Sequence, residues 1–111
     1  MSFFEQEQIY NELVEMSELY EEIREVMYGD EYKDKDTKID CLNKLERLVE
    51  LQEILYFRAK YSSDTDAIEF VNMLRASAVF LGIPADVDIS EIFTEMKESI
   101  QYAKEQLDSQ P

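Results

Sequence analysis

Glutamates recur through the first part of the chain at Glu5, Glu12, Glu15, Glu18, Glu22 and Glu25, and inward-facing carboxylates on helices are one way to hold a pair of metal ions. That chemistry takes Glu from two helices and Glu-x-x-His from two more. The chain contains no His, and these glutamates fall mostly off the apolar seam of their own segment, so they read as a solvated acidic face. The run Asp30-Glu31-Tyr32-Lys33-Asp34-Lys35-Asp36 invites a calcium reading. Counted as an EF-hand from Asp34, however, it puts Lys38 at a ligand position and Ile39 where Gly must turn the chain, so it reads as a connecting loop.

Nucleophiles fare no better. Cys41 has no His to activate it and lies beside Leu42 and Leu45, which makes it a small core residue. Ser62 and Ser63 neighbour Asp64 and Asp66 without a general base, and helix capping accounts for them. The two glycines, Gly29 and Gly82, stand alone at segment ends and cannot cradle a phosphate. The chain is therefore expected to be no enzyme, with no catalytic, cofactor-binding or metal residue and no cofactor.

The elements carrying these residues are helices. Ile9, Leu13, Met16, Tyr20, Ile23 and Met27 form one stripe at spacings of three and four, and Ile89, Phe93, Met96, Ile100, Ala103 and Leu107 form another. Ile39, Leu42, Leu45, Val49, Tyr56 and Ala59 make a third, widened by Cys41, Leu48, Leu51, Ile54, Leu55 and Phe57 until the segment is apolar on most sides, as a central helix should be. Ala67, Val71, Leu74, Ala78 and Leu81 give the fourth, flanked by Ile68, Phe70 and Phe80.

Boundary signals bracket these stripes. Ser2 with Glu5, Thr37 with Asp40, Ser63 with Asp66, and Asp88 with Glu91 have capping-box spacing, and Val87 with Ile92 has that of a hydrophobic staple. Gly29 and Gly82 are placed as left-handed stops, the second backed by Pro84. The expectation is an all-α fold of one domain over residues 1–111, with helices at about 3–28, 38–60, 64–81 and 89–107. The short connections make it an antiparallel helical hairpin or bundle, completed by oligomerisation.

With 26 acidic and 11 basic residues, the formal charge is −15. Direct binding to nucleic acid or to an anionic membrane is disfavoured, because both require a positive face. Residues 1–28 hold eight Glu and one Arg, whereas residues 38–61 hold five basic and four acidic residues. The second helix is thus the electrostatic neighbour of the first, within the molecule or across a dimer, with Lys44, Arg47 and Arg58 as candidate partners for its glutamates. No apolar run approaches the roughly 20 residues that span a bilayer, and the start lacks a signal-peptide pattern, so a cytoplasmic protein of a bacterial host cell is expected.

Seven Tyr and six Phe in 111 residues exceed what a small helical core requires. Aromatic residues at seam edges and helix ends suit interfaces. Phe3, Phe4, Tyr10, Val14, Leu19, Val26 and Tyr28 are the candidate interface, since the face of the first helix is wider than one neighbouring helix covers. The expected partners are a second copy, as a dimer, and a basic host protein.

Three signatures carry a family resemblance: the start Ser2-Phe3-Phe4 before a Glu-rich helix, the run Leu51-Gln52-x-x-Leu55-Tyr56-x-Arg58 leading to Ser62, Asp64 and Ala67, and Gly82-Ile83-Pro84 with Val87-Asp88, Phe93 and Met96. In their order and spacing they resemble a small helical domain-of-unknown-function family of cyanobacteria and the T4-like cyanophages, nearer its phage branch. The resemblance implies an all-helical fold and that origin, not a mechanism. The leading expectation is a non-enzymatic helical protein working by protein–protein contact, as a phage-encoded modulator of a host protein. The alternative is an acidic mimic of nucleic acid that blocks a basic nucleic-acid-binding surface.

Overall fold

A computed structural model describes residues 3–29, 34–80, 82–84 and 86–109, and the described residues are helical with no strand. A 3-10 turn at Phe3–Glu5 precedes α1 (Glu7–Tyr28), α2 (Lys35–Lys60), α3 (Thr65–Phe80) and α4 (Ile89–Asp108).

The helix starts differ from the capping-box reading in three of four places. Gln6 is extended (φ −63°, ψ 133°), so α1 begins at Glu7 rather than Phe3, and Ser2 lies outside the described residues. The bend lets Phe3 fold back into the core, where it is 2% exposed. Burying a Phe is worth about 1.5–3 kcal/mol, more than a few further residues of helix contribute. In α2 the start moves to Lys35, ahead of Thr37, because the backbone N–H of Lys38 already bonds to the carbonyl of Asp34 at 2.9 Å. An all-polar first turn has no apolar period to reveal it. Before α3 the cap is Asp64 and not Ser63: the Asp64 carboxylate accepts from the Asp66 N–H at 2.8 Å, while Ser62 Oγ accepts from the Asp64 N–H at 3.1 Å. Asp88 caps α4, accepting from the Ser90 N–H at 3.0 Å.

The two glycine stops also part company. Gly82 has φ +94°, its N–H bonds to the Val79 carbonyl, and the Ile83 N–H reaches the Ala78 carbonyl, both at 3.0 Å. That pair of bonds is the Schellman motif, which needs a residue tolerant of positive φ. Gly29 is extended instead (φ −98°, ψ 168°) and ends α1 with one N–H bond to Val26.

The centre belongs to α2, which packs on α1, α3 and α4. Leu51, Leu55, Tyr56 and Ala59 are at most 2% exposed. Leu55, Tyr56 and Ala59 join Phe3, Ile9, Ala67, Val71, Ile89 and Phe93 around one core, while Ile23, Cys41 and Leu48 form a smaller one. The molecule measures 51 × 32 × 19 Å with a radius of gyration of 16.1 Å, against about 13 Å for a compact chain of this length. A flat, drawn-out stack of helices keeps much apolar surface at its edges.

Candidate interaction surface

Polar contacts tie α2 to both long neighbours. Arg47 grips Glu15 with two bonds of 3.0 and 3.1 Å, Arg58 bonds Glu12, Lys44 reaches Glu22 at 3.5 Å, and Gln52 donates to the Tyr20 hydroxyl at 2.9 Å. Lys97 holds Glu53 at 2.9 Å and Lys104 holds Glu46 at 3.2 Å across α2 and α4. The cations expected to face the glutamates of the first helix thus do so within the chain. Hydrogen bonding to Asp40, and then the charges of Asp40 and Glu22, raise the pKa of Lys44; the Glu15 carboxylate does the same for Arg47. Glu12 keeps one carboxylate oxygen buried without a hydrogen-bond partner, beside the ion pair made by the other.

Little of this arrangement can do covalent chemistry. Burial pushes the Cys41 thiol upward, more than nearby Lys44 pulls it down, so the thiolate is disfavoured. Among the described residues no three His, Cys, Asp or Glu side chains gather as a metal set would require. No described helix is long and apolar enough to cross a membrane.

The candidate interface residues scatter. Phe3 is in the core, and Phe4 is half-buried, edge-on to Phe3 at 5.1 Å and to Phe70 at 5.8 Å. Phe3 is taken up within the chain, whereas Phe4 keeps part of its ring at the surface. Leu19 and Val26 are half-buried against the small cluster of Ile23, Cys41 and Leu48. Tyr10, Val14 and Tyr28 remain in solvent, Tyr28 at 86% exposure. Tyr28 joins Tyr20 and Met27 at an open groove between the end of α1 and α2, floored by Ile23, Leu45 and Leu48.

The sequence reading missed the outward face of α3. Ile68, Met73 and Val79 are about half exposed and Phe80 is 89% exposed. A groove of 420 Å³ lies between Phe4, Phe70 and Met73 with Asp66 and Glu69 at its rim, and it continues along Met73, Ala76 and Ser77 to Phe80. The signal was present: α3 carries apolar residues on more sides than the seam Ala67, Val71, Leu74 and Ala78 uses. Such a helix is read as surrounded, yet α3 packs chiefly on α2 and the N-terminal turn. Compared with protein-family models, with curated proteins and with solved structures, the chain matches none.

Proposed function

We propose that this protein works by binding other proteins, without catalysis, through apolar and aromatic surface displayed on a helical scaffold. The carrying observation is the exposed row on α3, which runs from the Phe4–Phe70 groove past Met73 to Phe80. Contiguous apolar patches of this kind on soluble proteins mark contact sites. The reversed order of the ion pairs supports an antiparallel bundle: Glu12 meets Arg58 and Glu22 meets Lys44, while Glu46 meets Lys104 and Glu53 meets Lys97. On the resemblance to the cyanobacterial and cyanophage family, the reading becomes a cytoplasmic, phage-encoded protein that modulates a host protein.

A second reading rests on charge. Lys44, Arg47, Arg58, Lys97 and Lys104 are drawn into internal ion pairs, which leaves Glu7, Glu18 and Glu25 on α1 and Glu91, Glu95 and Glu98 on α4 facing solvent. Those carboxylates can stand in for phosphates on a basic partner. Capture from a cyanobacterial lysate at low and high salt separates the two. Binding that survives high salt and is lost in Phe80→Asp fits the apolar surface; binding that collapses with salt and ignores Phe80→Asp fits the mimic.

A further inference from the structure

The outward face of α3 has a repeat that suits it to itself. Asp66, Met73 and Phe80 are seven residues apart, so they stack on one side of the helix. The knob of that face, Phe80, stands at one end, and its hole, the groove of Phe4, Phe70 and Met73, lies about 15 Å away at the other. The midpoint falls between Met73 and Ala76. We infer that a second copy of this chain docks antiparallel on α3 across a two-fold axis between Met73 and Ala76, each copy seating its Phe80 in the groove lined by Phe4, Phe70 and Met73 of the other. The inference rests on the protein-contact reading and names its partner.

Electrostatics selects this face. For two copies of a chain with charge −15, contact through α1 would oppose seven Glu offset by one Arg, and contact through α4 five carboxylates offset by two lysines. Outside the central α2, α3 is the helix nearest neutrality, with Asp66 and Glu69 against Arg75. An antiparallel arrangement also sets the positive end of each helix dipole beside the negative end of the other. Small Ala76 and Ser77 on the same side allow the two backbones a close approach. Area agrees as well. The chain exposes 7621 Å², about 1,200 Å² more than a typical monomer of its mass, and a standard interface takes about 800 Å² from each partner. The isologous symmetry closes at two copies.

Sedimentation equilibrium from low to high micromolar concentration tests this on three proteins: the wild type, Phe80→Asp, and Met73→Cys in a Cys41→Ala background treated with a short bis-maleimide. The expected result is reversible dimerisation of the 13.1 kDa chain, with the dissociation constant raised about 100-fold or more by Phe80→Asp, as for a central aromatic anchor. Met73→Cys should cross-link to its own counterpart. Phe80 is exposed, so circular dichroism should match the wild type. A dimer indifferent to Phe80→Asp overturns this surface. A monomer at every concentration overturns the second copy as the occupant. Even then, lysate capture that disappears in Phe80→Asp would keep the contact reading with a different partner, and capture that ignores the change would sink that reading separately.

Discussion

α2 and α3 invert the usual relation between composition and burial. α2 alternates lysines, arginines and carboxylates along its length yet holds Leu51, Leu55, Tyr56 and Ala59 at the centre of the core. α3, with Asp66, Glu69 and Arg75 as its charged residues, leaves Ile68, Met73, Val79 and Phe80 in solvent. The difference lies in neighbours. α2 is flanked by three helices and turns its charges into ion pairs at the seams, whereas α3 packs chiefly on one helix and a short turn. Apolar content states what a helix can bury, and topology decides what it does bury.

The sharpest way to break this contrast is to truncate one side chain in each helix. Leu55→Ala should cost about 2–5 kcal/mol in denaturant unfolding, because a buried leucine leaves a cavity. Phe80→Ala, at a concentration too low for association, should move stability by no more than about 0.5 kcal/mol. Equal losses would erase the distinction between scaffold and surface.

Next in size is the seam between α1 and α2. Arg58→Ala would strand the Glu12 carboxylate, whose side chain is 14% exposed, and should cost roughly 1–3 kcal/mol. Arg47→Ala breaks a pair that is over 40% exposed on both sides and should cost under about 1 kcal/mol. The same unfolding experiment checks both, and a reversal of their order would mean that burial does not set their value.

Acid gives the smallest effect and the subtlest. Asp88, held low by the Ser90 backbone N–H and then its hydroxyl, contributes its cap above its unfolded pKa, and that contribution is lost as pH falls through the lower folded value. Repulsion within a chain of charge −15 relaxes over the same descent. The melting temperature should therefore rise gently from neutral pH to about pH 5 and fall below about pH 4. Asp88→Asn, which keeps an acceptor and removes the titration, should soften the acid-side fall. A steady fall from neutral pH would mean that carboxylate pairing outweighs repulsion. Lys44 and Arg47, with raised values, keep their contribution below the ordinary lysine and arginine range and lose it only as strongly alkaline pH passes the raised ones.

The four helices were legible because apolar residues at spacings of three and four leave few other ways to bury them, and the centrality of α2 followed from the breadth of its stripe near Leu55. The ends were less so. A capping box is only a spacing, and Ser63 with Asp66 satisfies it although the backbone gives the cap to Asp64, which accepts from the Asp66 N–H. Phe3 could not be assigned to the core from sequence, because its burial depends on the bend at Gln6 and on a core built from Leu55, Tyr56, Ala67 and Val71, far along the chain. The exposed face of α3 was hidden for the opposite reason: a helix apolar on several sides looks enclosed, and only the shortage of neighbours around α3 exposes it.

The central claim is that α2 stabilises the fold while α3 makes the contacts, and the concentration dependence of the melting temperature tests it most directly. Association with the native state stabilises by mass action. The wild type should therefore melt at higher temperature as its concentration rises about 100-fold through the micromolar range, and Phe80→Asp should melt at one temperature throughout. A melting temperature independent of concentration in both proteins, or rising equally in both, would contradict the account.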